Sequence, residues 1–249
     1  MKNTLQADFL RLWKKFFGQA RLPLAYYYTA EKPSEGEISK GKNSACIVAY
    51  LHQALEGKPL YFSAETVSCS GGKRYLGFKR EFRPNFEYFL SCGLEGVVEG
   101  ERYKKSPEIV KALLEKMEVF TAPAPYLVFK GFDKLTPDEN PDVVVFLSPP
   151  DVLSGLFTLA NFPRIEPDGV VAPHGSGCAS IVAYPMLEKK KENPRGILGM
   201  FDVSARPYVD ANVLSLAVPF SVFEEMVSDM PESFLITKSW EKIFKRMEK

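Results

Sequence analysis

Pro141-Asp142-Val143-Val144-Val145-Phe146-Leu147-Ser148-Pro149-Pro150-Asp151 is the stretch on which the reading of the fold turns. The run from Val143 to Phe162 is apolar enough to be mistaken for a membrane span. Pro149-Pro150-Asp151 divides it into a short strand and a separate helix, so it reads as core. Within the strand, Val144-Val145-Phe146 is continuous rather than alternating, which is the pattern of a strand covered on both faces. The helix is expected to begin near Pro150, where a missing N–H does no harm.

Outward from this point the same mixture recurs. Toward the N-terminus, Tyr126–Phe132 reads as a second strand, and Pro107–Val119 as an amphipathic helix with Ile109, Leu113 and Met117 on one face. Pro23–Thr29 and Pro59–Ser63 read as strands on either side of a polar loop containing Pro33, Ser34, Glu35 and Gly36 and a helix from about Ala45 to Leu55. Ser68-Cys69-Ser70-Gly71-Gly72 reads as a turn-rich segment, Arg74–Phe78 as a further strand, and Pro84 to Phe89 as a short helix. Met1 to Phe17 carries Leu5, Phe9, Leu12, Trp13, Phe16 and Phe17 at helical spacing. That spacing predicts an amphipathic helix docked on the body, with a membrane-surface helix as the alternative. Toward the C-terminus, Ile197–Val203 and Val213–Val218 read as strands, then Pro219–Met230 and Ser239–Arg246 as helices. Helices and strands mixed without βαβ regularity indicate an α+β fold, a mixed sheet flanked by helices.

The chain has 249 residues, 45% hydrophobic and 25% charged, enough to bury a core, which excludes disorder and disulfide-stapled mini-proteins. One α+β domain over 1–249 is expected, with two intertwined halves (about 1–105 and 106–249) as an alternative. An echo of Ile47-Val48-Ala49-Tyr50 in Ile181-Val182-Ala183-Tyr184 is compatible with related halves and equally with chance. Lys and Arg number 32 against 31 Asp and Glu, so charge gives no ground for nucleic acid or an anionic membrane as partner. No secretory signal is read at the N-terminus, and a cytoplasmic location is expected. A homo-oligomer stays open.

Chemistry concentrates at the cysteines. Cys46 and Cys178 sit where helices should begin, capped by Asn43 or Ser44 and by Ser176 or Gly177, and a helix start favours a thiolate. Cys69 lies beside two glycines. Cys92 reads as structural. No C-x-x-C pair is present, so any metal would be gathered from distant segments. Two readings stay open for each thiol, because cysteine is also a common small hydrophobe. His174, in Pro173-His174-Gly175-Ser176-Gly177-Cys178, reads either as a base toward Cys178 or as an exposed loop residue, and His52 as a surface or packing residue. Gly71 and Gly72 with the cations Lys73 and Arg74 form a candidate anion nest, and Arg206 a candidate pocket cation for a small anionic ligand, although pairing with Asp202 or Asp210 explains Arg206 equally.

Several of these stretches, in order, resemble one family. Cys46 near a helix start, Ser68-Cys69-Ser70-Gly71-Gly72 followed by Leu76-Gly77-Phe78, Pro141 to Phe146, Gly177-Cys178-Ala179, Leu198-Gly199 with Asp202 to Arg206, and Val218-Pro219-Phe220 are similar to domain-of-unknown-function family one hundred sixty-nine. The resemblance spans about Leu22 to Pro231. It implies a prokaryotic cytoplasmic protein, of a kind frequent in archaea and anaerobic bacteria, with no settled activity and no established catalytic residue. Cys46, Cys69 and Cys178 match its pattern, whereas Cys92 does not. The expectation drawn from these residues is an iron–sulfur cluster or another metal held by the thiolates of Cys46, Cys69 and Cys178, with a redox or small-molecule role. A metal-free cysteine enzyme and a small-anion binding module are the alternatives.

Overall fold

In the computed structural model, which describes residues 2–34, 36 and 46–248, Val143–Ser148 is the central strand of a mixed sheet. The strands are β1 (Leu24–Thr29), β2 (Leu60–Phe62), β3 (Tyr126–Gly131), β4 (Val143–Ser148), β5 (Val170–Val171), β6 (Gly196–Gly199) and β7 (Leu214–Pro219). Their order is β2-β3-β1-β4-β7-β6-β5, antiparallel throughout except for the β5–β6 pair. β1 pairs Leu24 with Gly131 on one side and with Val145 on the other, so strands from both ends of the chain interleave. The α+β reading of the sequence is what the structure shows.

Every residue of β4 is buried, because helices cover both faces. Val144 and Phe146 point into a layer built by α1 (Lys2–Phe17), α6 (Pro150–Asn161), α8 (Phe220–Asp229) and α9 (Lys238–Met247). Val143, Val145 and Leu147 point the opposite way. That second layer holds α2 (Leu51–Leu55), α3 (Ser70–Tyr75) and a π-helical turn, Ala179–Ala183, leading into α7 (Tyr184–Glu188). Two further helices, α4 (Phe86–Phe89) and α5 (Pro107–Lys116), lie between α3 and β3 in sequence.

Phe9, Leu12, Trp13, Phe16 and Phe17 of α1 are buried against the first layer, which leaves no apolar face of that helix for a membrane surface. Among the described residues, no helix is long and apolar enough to cross a membrane. Ser106 and Thr237 cap α5 and α9 by accepting from the N–H groups of Ile109 and Trp240.

Four local readings are corrected. Ser70–Tyr75 is helix α3 rather than turn followed by strand: Cys69 caps it, and the chain then turns at Gly77, with φ 77°. A Cβ on Gly77 would lie 2.3 Å from the Ala122 backbone nitrogen, so only glycine lets the two segments cross there. The helix expected from Ala45 is a 3₁₀ turn, Ile47–Tyr50, followed by the short α2. Its expected caps Asn43 and Ser44 lie outside the described residues, as do Glu35 and Ala45. In α5 the fully buried residue is Val110, and Ile109 is exposed, a rotation of the apolar face by one residue. β6 stops at Gly199 because Met200 takes φ 67°, and the two-residue β5 went unread because it is so short.

The second layer is fastened at its far end by Glu188, 4% exposed. It accepts from Arg195 Nη2 at 2.9 Å, from the Arg195 backbone N–H at 3.1 Å and from Lys191 Nζ at 2.6 Å, tying α7 to β6. Burial raises the carboxyl pKa, but the bonds from Arg195 and Lys191 outweigh it and hold the pKa below the usual glutamate value. A depressed folded-state pKa contributes stability that is present above the unfolded value and lost as pH falls through the folded one. Glu188→Gln should therefore lower stability by about 1–2 kcal/mol at neutral pH. The deficit should vanish in urea titrations below the carboxylate range, and one that persists unchanged there would refute the assignment.

Candidate functional site

Cys178 is placed by three turns of chain that meet at its helix start. Ser176 Oγ accepts from the Ala179 N–H at 3.2 Å, so of the two caps the sequence offers, Ser176 and Gly177, it is Ser176 that caps. Asp202 Oδ2 accepts from the Gly177 N–H at 2.9 Å, while its Oδ1 accepts from Ser204 N and Oγ at 3.0 and 2.7 Å. Met200 reaches this position in a left-handed conformation that disfavours any residue with a Cβ, and its N–H is bonded to Ser180 Oγ at 3.3 Å. A Cβ on Gly199 would lie 2.2 Å from Ser180 Cβ, so glycine is required where β6 meets the π-helical turn. π-Turns of this kind concentrate at functional sites.

The other two thiols come to the same wall. A Cβ on Gly72, three residues after Cys69, would lie 3.5 Å from Ile47 Cγ2, which follows Cys46 directly. A Cβ on Gly177, directly before Cys178, would lie 3.4 Å from Val48 Cγ2. The segments bearing Cys46, Cys69 and Cys178 thus pack side by side, although 132 residues (178 − 46) separate the first from the last. Each sulfur also has a local partner. Cys69 Sγ accepts from the Gly72 N–H at 3.3 Å, and Cys178 Sγ lies 3.2 Å from Ser176 Oγ.

Electrostatics report the same proximity. Burial pushes the Cys178 thiol up to about 12; the Ser176 hydroxyl opposes that push, and the negative forms of Cys69, Cys46 and Asp202 add to it. Burial likewise raises Cys46; the N–H groups of Val48 and Ala49 hold it partly down, and Cys69 and Asp202 push it further up. Tyr75 and Tyr184 complete the wall. Burial raises both phenols, and charge on Cys178 raises them further. A cation beside these groups would favour the charged form of Cys178 and Cys46. Among the described residues, however, no three His, Cys, Asp or Glu side chains stand ready-made as a ligand set for a metal ion.

The remaining candidates fall elsewhere. His174 is exposed, and its backbone carbonyl accepts from the Tyr184 hydroxyl at 3.1 Å; the Cys178 sulfur faces Ser176 instead. His52 is exposed on α2. Cys92 is exposed, with its sulfur 3.4 Å from the Gly93 carbonyl, so it is not the buried structural residue that was expected. Gly71, Gly72 and Lys73 are helical, and the Gly72 N–H is directed at Cys69 Sγ, so they form no open nest. The Arg206 guanidinium donates to the carbonyls of Val213, Asp210 and Ala211, closing its own loop rather than pairing with the Asp202 or Asp210 carboxylate. Asp202, Tyr75 and Tyr184 were not read as site residues. Asp202-Val203-Ser204 carries the local signature of an aspartate-led turn, but its reach to Gly177 is visible only in the fold.

The model of family DUF169, described as "Uncharacterised ArCR", matches residues 14–229, a span that contains all three cysteines. No curated protein and no solved structure matches the chain.

Proposed function

Because the chain belongs to the uncharacterised ArCR family DUF169, whose description names no activity, we propose from the site alone that Cys46, Cys69 and Cys178 bind a thiophilic metal ion or an iron–sulfur cluster. The role that goes with it is redox or small-molecule chemistry. One observation supports the reading: the segments that bear the three cysteines, remote in sequence, pack side by side next to Asp202, and charge on Cys69 or Cys46 raises the pKa of Cys178. Soft thiolates select soft or borderline metals such as iron, zinc and copper(I). Metal binding displaces the thiol protons, which removes the mutual repulsion and couples affinity to pH. It also requires the sulfurs to turn from Ser176 and Gly72 toward a common centre. Three protein ligands leave a further position on the metal for a small molecule.

The buried, protonated state of Cys178 and the exposure of His174 run against a metal-free Cys–His nucleophile. Purified without air, the protein should carry stoichiometric iron or zinc, with an absorption band at ~400 nm if a cluster is present. Cys178→Ser and Cys69→Ser should lose the metal, and Cys92→Ser should keep it. Colourless, metal-free protein, or equal loading of all three variants, would refute the reading.

A further inference from the structure

Among the described residues, Arg74 is the one buried lysine or arginine. It lies on α3 and is only 4% exposed, although a guanidinium keeps its charge at any pH a protein meets. Its Nε is buried with no hydrogen-bond partner, and among the described residues no carboxylate forms an ion pair with it. The face of the guanidinium is accounted for, since its central carbon lies 4.9 Å from the centre of the Phe82 ring. On its N–H edge, the buried Nε has no acceptor. A buried N–H of a charged group without an acceptor is costly, and stacking on a ring does not satisfy it.

The surroundings make an anion more welcome, not less. Residues 73–83 carry Lys73, Arg74, Lys79, Arg80 and Arg83 against the single acid Glu81, so the local field is positive. Burial depresses the Arg74 pKa, Arg80 depresses it further, and Tyr75 and Glu81 offset only part of this. The Arg74 guanidinium and the Tyr75 ring both lie against Phe82, and the Tyr75 phenol feels charge on Arg74 as well as on Cys178 and Asp202, which sets the guanidinium near the wall of the thiol site.

We infer that Arg74 is the seat of an oxyanion, a carboxylate or phosphate group of a small molecule, which pairs with the free edge of its guanidinium beside the thiol wall. The planar fork of arginine matches two oxygens of either group. The inference does not depend on a metal at the cysteines.

The test uses the intact protein, stripped of metal with chelator, and two probes, inorganic phosphate and succinate, titrated by calorimetry and thermal melting at constant ionic strength in chloride. At least one probe should bind saturably and raise the melting temperature. Arg74→Lys, which keeps the charge but loses the fork, should weaken that binding by about tenfold or more. Arg74→Met should abolish it while melting in chloride at or above the wild-type temperature, because an apolar side chain of similar length removes an unpaired buried charge. Binding of phosphate without succinate, or the reverse, assigns the group. The inference is overturned if neither anion binds the wild-type protein. It is also overturned if Arg74→Met binds the anion as well as wild type, or if that variant melts well below wild type and anion makes no difference to either.

Discussion

In metal-free protein treated with iodoacetamide at pH 7.5, Cys92 is expected to be alkylated first and Cys178 last. Cys92 is exposed, whereas Cys178 is buried with its pKa pushed up to about 12. At pH 7.5 a thiol of that pKa is thiolate for only roughly one part in 10⁴–10⁵, and the thiolate is the reacting species, so the rate should fall about 10³-fold or more below that of Cys92. The rate at Cys178 should climb about tenfold per pH unit up to the onset of alkaline unfolding. Peptide mapping by mass spectrometry at timed intervals reads both effects. Equal labelling of Cys92 and Cys178 at pH 7.5 would mean that the thiol wall is open and ionised, and the site geometry would fall with it. The same shift has a consequence for stability. A folded-state pKa raised above the ordinary thiol value of 9.0 contributes stability that is complete below that value and disappears as pH rises toward about 12. Cys178→Ser should therefore flatten the alkaline limb of the stability curve.

Phe223→Ala should cause the largest loss of stability among single changes considered for this chain, about 3–5 kcal/mol. Phe223 is 1% exposed on α8, and its ring centre lies 5.0 Å from Phe9, 4.8 Å from Phe132 and 5.9 Å from Phe220. Removing it strands edge-to-face and tilted partners around a void too apolar to hold water. For a chain of this size the melting temperature should drop by roughly 6–20 °C. A loss under about 1 kcal/mol in urea would show that the aromatic layer collapses around the gap, against the packing described. Because this layer lies across the sheet from the cysteines, Cys178 should stay as slow to alkylate as in wild type at temperatures well below the melt.

The parts of the fold that were legible in the sequence are those governed by local pattern. Val143–Leu147 reads as a doubly covered strand because it is apolar throughout, and the observed strand, Val143–Ser148, is buried on both faces. α1 read correctly because Phe9, Leu12, Trp13, Phe16 and Phe17 recur at helical spacing, and Pro107 and Pro150 marked helix starts. Local pattern failed where glycine is used for close approach rather than for a turn. Gly71 and Gly72 resemble a loop, yet they sit in a helix whose small surface lets Ile47 pack close, and Gly199 looks like part of a longer strand but admits Ser180. Arg206 resembled a ligand-binding cation, and the nearby carbonyls it satisfies became visible only when the loop was closed. Arg74 reads in the sequence only as one of two cations beside the expected nest, and its burial against Phe82 becomes visible only in the fold.

By itself, the sequence determined the α+β character of the chain, the membership of Cys46, Cys69 and Cys178 in one pattern, and the helix start that Ser176 caps. Each of these depends on contacts within a few residues or on the periodicity of apolar side chains, which a linear string records. Tertiary structure alone decided that the segments bearing the three cysteines pack together near Asp202, Tyr75 and Tyr184, that His174 is turned outward, and that Arg74 is buried with no ion pair among the described residues. These are matters of which distant segments become neighbours and of how much water is removed between them. Both follow from the order in which seven strands join one sheet, and no short stretch of residues encodes that order.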